Sequence, residues 1–187
     1  MRRFSEKHTE DYRHAKCVTR IALCLYDDLR EEHGLGKQER YMVYVAAMLH
    51  DIGWGMSGGQ HNKCGMRYIL EDRKLPLSPH QRVIVALVVR YHRGGLPKRC
   101  HPLYGELRKK DRYVVRILSG ILRTADGLDS SHCGVVRGVR AKVSGDTLYL
   151  LCSGMKSGDA EKKAAAKKAN LLIRMLSSGL EIRWVTR

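Results

Sequence analysis

Acidic residues are scarce in this chain. Among 187 residues, 19 Asp and Glu face 35 Lys and Arg, which leaves a formal net charge of +16 with the nine histidines neutral. Such a balance predicts attraction to polyanions, whether nucleic acid, polyphosphate, nucleotides or an anionic membrane face, although a solvated basic surface explains it equally well. Aromatic residues are also few, at 6% with a single Phe, so stacking platforms for single-stranded nucleic acid are poorly supplied. No apolar run approaches the roughly 20 residues that cross a bilayer, and the longest, Tyr41 to Leu49, ends at His50-Asp51. The opening Met-Arg-Arg-Phe-Ser-Glu-Lys-His has no apolar core of the kind a secretory signal needs, so the expected location is cytoplasmic, with no membrane partner. The six cysteines (17, 24, 64, 100, 133 and 152) form no C-x-x-C pair, which predicts reduced, mostly buried thiols instead of a disulfide framework or zinc ribbon.

What is present is a core. Hydrophobic residues make up 43% and charged residues 29%, a globular composition. Val18, Ala22, Leu25 and Leu29 recur at helical spacing between Ser5 and Glu32, with His14 on the same face. A second helix is predicted over Lys37–Leu49, delivering His50-Asp51 at its end, and a third over His61–Leu70. Ser78-Pro79-His80-Gln81 reads as a capped start for a fourth, which carries Ile84, Leu87, Val88 and Tyr91 inward and sets His92 at its end. A fifth covers Asp111–Ala125, closing on Asp126-Gly127. Val135–Val143 and Thr147–Cys152 flank Ser144-Gly145-Asp146 as a hairpin, followed by a helix over Ala160–Leu176 and a closing strand over Leu180–Val185. The fold class is therefore mainly α: a helical body over residues 1–133 with a small α+β appendage over 134–187.

Imidazoles and carboxylates at the ends of successive helices can converge on divalent metal ions. His14, His50, Asp51 and Asp126 are the first set, and His61 and His92 could supply a second ion. A lone inward histidine is more often a hydrogen-bonded core residue than a ligand, so the inference rests on the combination. Asp129 reads as a structural turn carboxylate, His101 as either near the site or a loop residue, and His8, His33 and His80 as surface residues.

The order H…HD…D, in His14, His50-Asp51 and Asp126, resembles the HD superfamily of metal-dependent phosphohydrolases. Leu49-His-Asp-Ile-Gly53, Arg90-Tyr-His-Arg93 with Leu96-Pro-Lys98, and Leu122-Arg-Thr-Ala-Asp-Gly-Leu-Asp-Ser-Ser-His132 resemble more closely the C-terminal HD-type domain of the Ppx/GppA exopolyphosphatase and guanosine pentaphosphatase family. The resemblance runs from about His14 to the last strand and implies an HD-domain helical bundle. It implies metal ligation by His14, His50, Asp51 and Asp126. Where relatives often carry H-H-K-H-S, this chain reads His61-Asn62-Lys63-Cys64-Gly65, with His61 matching the leading histidine in a gapless alignment. In full-length relatives hydrolysis belongs to an N-terminal actin-like domain, which these 187 residues do not contain, so exopolyphosphatase activity does not carry over.

The chemistry expected of such a set is metal-dependent hydrolysis of a phosphoester or phosphoanhydride in a phosphorylated small molecule, nucleotide or polyphosphate-like substrate. One or two divalent ions (Mn, Mg, Fe, Co, Ni or Zn) act as Lewis acid and lower the pKa of water. Asp51 bridges ions or orients the nucleophile, and Arg93, Lys98, Arg123 and Lys63 are candidate phosphate clamps, with Arg90 and His132 as further substrate-binding candidates. The alternative is a non-catalytic or regulatory module that binds polyphosphate, nucleotide or RNA. Lys162, Lys163, Lys167, Lys168 and Arg174 would then grip the polyanion, or a Ppx/GppA-type catalytic subunit would be the partner. A homodimer agrees with the habits of the family, and nucleic acid stays an open partner class.

Overall fold

A computed structural model describes residues 11–54, 60–154, 157–176 and 179–186. His8, the start of the first predicted helix and the glycines at 55, 58 and 59 lie outside the described residues. The first helix, α1 (Tyr12–Asp28), starts where the Asp11 carboxylate accepts the His14 backbone N–H at 2.9 Å, satisfying a donor that the helix itself cannot. A short α2 (Arg30–His33) ends at Gly34, whose φ of +64° suits glycine. Then come α3 (Lys37–Leu49), α4 (His61–Glu71), α5 (Pro79–Tyr91) and α6 (Lys109–Gly127). The predicted cap of α5 is present: Gln81 N–H donates to Ser78 Oγ, and the Gln81 side chain accepts from Ser78 N–H. The appendage follows as β1 (Val136–Ser144), β2 (Thr147–Gly154), α7 (Asp159–Lys168), α8 (Asn170–Leu176) and β3 (Gly179–Thr186).

Helix α6 is the axis of the molecule. Its Val115, Leu118, Ile121, Leu122 and Ala125 are fully buried, and it packs against α1, α3, α5, α7 and α8. In the three-stranded sheet β1 pairs antiparallel with β2 through the tight turn Ser144↔Thr147, whereas β3 pairs parallel with β2 from Thr147↔Gly179 to Gly154↔Thr186. A parallel neighbour requires a crossover, and α7 with α8 supplies it. One hydrophobic core runs on from the helices into the sheet, including Val139, Leu148, Leu150 and Cys152 with Ala165 and Leu172. No described helix is long and apolar enough to cross a membrane.

Several expectations need correcting. The helix foreseen over Ala160–Leu176 divides at Ala169, and the offset seats Leu172 on Gly120, where a Cβ would stand 2.9 Å from the Leu172 nitrogen. His33 is not a surface residue but is 4% exposed: its Nε2 donates to the Tyr26 carbonyl and its Nδ1 accepts from Leu35 N–H, both at 2.9 Å, closing the α1–α3 connection. The cysteines are unpaired, yet only Cys152 is buried, while Cys100 and Cys133 lie exposed in loops.

Gly127 governs how the appendage sits, because a Cβ there would stand 2.6 Å from Ala165 Cα and 2.8 Å from its nitrogen. Backbone cannot yield as a flexible side chain does. Gly127→Ala should therefore cost about 1–3 kcal/mol in urea unfolding, the usual range for overpacking.

Candidate functional site

Five helix ends build the site. His50 closes α3 and His92 closes α5 by the same local device: the ring Nδ1–H donates to a carbonyl three residues back, Ala47 O at 2.8 Å and Val89 O at 2.7 Å. Helix C-termini leave such carbonyls without intrahelical partners, so the imidazole caps the helix and turns Nε2 toward the interior. From α1, His14 arrives with its Nδ1–H held by Asp129 Oδ2 at 2.8 Å. After α3 the chain turns sharply at Gly53, where a Cβ would lie 2.4 Å from the His61 carbonyl oxygen, so only glycine lets the start of α4 approach. That approach brings in His61, and α6 supplies Asp126 from its last turn.

The side chains meet in two groups. His14, His50 and Asp126 form one and Asp51, His61 and His92 the other, each with ligand-type atoms within 4.8 Å of one another. His14 and His50 present their Nε2 atoms 3.2 Å apart, and His61 and His92 theirs 3.3 Å apart. Asp51 lies between the groups: Oδ2 is 3.2 Å from His50 Nε2 and 3.8 Å from His14 Nε2, while Oδ1 is 3.1 Å from His61 Nε2 and 3.6 Å from His92 Nε2. Asp126 Oδ1 stands 3.5 Å from His14 Nε2.

Charge in this cluster is strongly coupled. Burial works against a charged His14, yet Asp126 and Asp129 outweigh it and raise the ring to about 9. His50 also goes up, against its burial, through Asp51. His92 goes the other way, to about 3, because burial and the neighbouring His50 both disfavour its charge. Burial alone would raise Asp51 and Asp126, but the histidines hold both carboxyls well below their ordinary range. With their Nδ1 protons committed, neutral His14 and His50 would aim two lone pairs at each other across 3.2 Å. A cation must relieve that repulsion. A proton on His14 can do so, and mixed imidazole and carboxylate donors suit a divalent ion in its place.

The chain matches the family model described as Ppx/GppA phosphatase, domain III, over residues 1–144. It belongs to the Ppx/GppA phosphatase domain III family. A search of curated proteins gives no match. All six clustered residues of this domain III chain fall within the matched span.

The candidate clamps are distributed unevenly. Exposed Arg93 reaches the rim, with Nη1 3.2 Å from His61 Nδ1. Arg123, by contrast, is buried with its donors committed to carbonyl oxygens: Tyr91 at 3.1 Å, Gly94 at 3.3 Å and Lys168 at 3.4 Å. That is the bonding of a residue that holds the His92 segment in place. Lys63 and Lys98 are exposed, and the half-buried Arg90 sets its guanidinium over the Tyr91 ring at 5.6 Å. His132, at a left-handed φ of +58°, stacks on the His14 ring at 3.7 Å and donates Nδ1–H to Asp11 at 2.8 Å. His101 accepts from the Tyr91 hydroxyl at 2.8 Å.

Sequence reasoning missed three partners. Asp129, read as a turn carboxylate, does bond Gly134 N–H at 2.9 Å, but its other oxygen orients His14. Its spacing from Asp126, three residues along the end of α6, was the available signal. Buried Asn62 donates to the Arg90 carbonyl at 2.8 Å and to the Arg93 carbonyl at 3.4 Å, on either side of His92. Lys168 reaches Asp126 Oδ2 at 2.7 Å, and 42 residues of separation gave no local hint of it.

Two expectations follow. Asp129→Asn should weaken metal affinity about 10- to 100-fold in a calorimetric titration, the usual cost of losing the carboxylate behind a ligating histidine. A group raised from 6.5 to about 9 stabilises the folded state fully below 6.5 and loses that contribution as pH climbs through 9. In chelator the melting temperature should therefore fall between those pH values, whereas the increment from added Mn²⁺ should grow as the ligands shed protons.

Proposed function

We propose that this domain is a metal-dependent phosphohydrolase of the HD type, a helical bundle over residues 1–133 with its appendage over 134–187. Its substrate would be a phosphoester or phosphoanhydride in a nucleotide or polyphosphate-like molecule. The observation that carries this reading is the position of Asp51 between the group His14, His50 and Asp126 and the pair His61 and His92, with one carboxylate oxygen turned to each side. His14, His50, Asp51 and Asp126 would hold one ion, and Asp51, His61 and His92 a second. When bound, divalent ions supply Lewis-acid neutralisation of phosphoryl charge and acidify water. The protein's own part is orientation: carbonyls and Asp129 fix the three rings His14, His50 and His92, so the donor atoms stay in place before substrate arrives.

Arg93 is the first candidate to meet a phosphoryl oxygen, since its guanidinium lies against His61 at the exposed rim and can form paired N–H···O bonds. Lys63, Lys98, Arg90 and His132 would add substrate-binding charge or hydrogen bonds, with Arg123 holding the scaffold behind them. Membership of a phosphatase family supports phosphorylated substrates. A second reading, a non-catalytic polyanion-binding module, draws on the net charge of +16 and the exposed Lys163, Lys167 and Arg174.

The two readings separate on the double substitution His50→Ala, Asp51→Ala. The hydrolase should purify with about one to two ions per chain and release phosphate in Mn²⁺ or Mg²⁺, and the variant should lose both properties while keeping its helical circular dichroism. Unchanged polyanion affinity in the variant, with no turnover in either protein, would favour the binding module.

A further inference from the structure

We propose that Lys168, supplied by the C-terminal appendage, completes the candidate site as a phosphate-binding cation that also fixes the Asp126 carboxylate. The proposal rests on the phosphohydrolase reading above and names a residue beyond the span 1–144 that the family model covers.

The geometry divides Asp126 between two neighbours. Oδ1 faces the His14 ring at 3.5 Å, while Oδ2 takes the Lys168 ammonium at 2.7 Å. Of the two side chains Asp126 is 10% exposed and Lys168 31% exposed, so the ammonium spans the buried ligand group and the solvent side. An ammonium carries three protons in rotatable positions. Asp126 is the side-chain partner it has among the described residues, which leaves protons for an incoming phosphoryl oxygen.

The placement is built, not incidental. Glycine at 127 lets α7 lie directly on the end of α6, with Ala165 one turn before Lys168 at the contact. At the start of α7 the buried Glu161 accepts from Ser131 Oγ at 2.5 Å, clamping the helix to the segment that follows Asp126. At its end the Lys168 carbonyl accepts from Arg123 Nε at 3.4 Å, and the same guanidinium holds the Tyr91 carbonyl beside His92. Lys162, six residues earlier on the same helix, is instead spent on Asp159 at 2.6 Å, and Lys163 and Lys167 face solvent. The lysine-rich stretch is thus not uniform: Lys168 alone among these lysines is paired with a ligand-type carboxylate.

The test is calorimetric titration of inorganic phosphate into the Mn²⁺-loaded full chain, with metal content measured on the same samples. Lys168→Gln should weaken phosphate binding about tenfold or more, the scale of one charged hydrogen bond, with metal stoichiometry and melting temperature near wild type. Lys168→Arg should retain most of the affinity, and Lys109→Gln, at the exposed opposite end of α6 from Asp126, should match wild type. Unchanged phosphate affinity in Lys168→Gln would overturn the proposal, as would loss of metal in that variant, which would make Lys168 a support for Asp126 only. Absence of turnover in wild type with phosphate binding intact would count against the hydrolase reading and leave the assignment of Lys168 standing.

Discussion

A half-buried carboxylate surrounded by imidazoles is the constraint on which the rest of this structure depends. Asp51 sits where α3 ends, with histidines from four helices directed at it or at its neighbour His50. Burying such a group is costly unless cations and hydrogen bonds compensate it. The compensation here comes from distant parts of the chain, and so the helices must meet at their ends as well as along their sides. Gly53 and Gly127 serve that need by removing side chains where one backbone approaches another.

The same constraint explains why the second tier of polar residues is so fully engaged. Asp129 and the carbonyls of Ala47 and Val89 settle which ring nitrogen carries the proton, and with it where the lone pair points. Arg123 and Asn62 tie down carbonyls on both sides of His92, Arg123 those of Tyr91 and Gly94 and Asn62 those of Arg90 and Arg93. Orientation of this kind costs nothing further when a ligand binds, because it is already present in the folded chain. The appendage joins this network through Lys168 and Glu161, so it bears on the site as well as on the sheet.

Much of the fold could be read from the sequence because its signals are local. Apolar spacing gave the extent of α3 and the Ser78 cap the start of α5, and β-branched runs around Ser144-Gly145-Asp146 gave the hairpin. The six histidines and aspartates that the structure brings together were legible as residues at helix ends in a recognisable order. What escaped was set by tertiary packing. Arg123 looked like a clamp because charge is visible in sequence, whereas the carbonyls that occupy it are not. His33 looked exposed for want of any sign that it closes the turn after α1. Lys168 resembled its neighbours in a lysine-rich helix until the packing on α6 singled it out.

The central claim is that these imidazoles and carboxylates are metal ligands and not merely a buried polar network. X-ray absorption on the zinc- or manganese-loaded protein tests it most directly. The account predicts imidazole nitrogen together with carboxylate oxygen in the inner coordination sphere, with the imidazole scattering lost in His50→Ala, Asp51→Ala. An ion ligated by oxygen alone, or a spectrum unchanged by that double substitution, would contradict it.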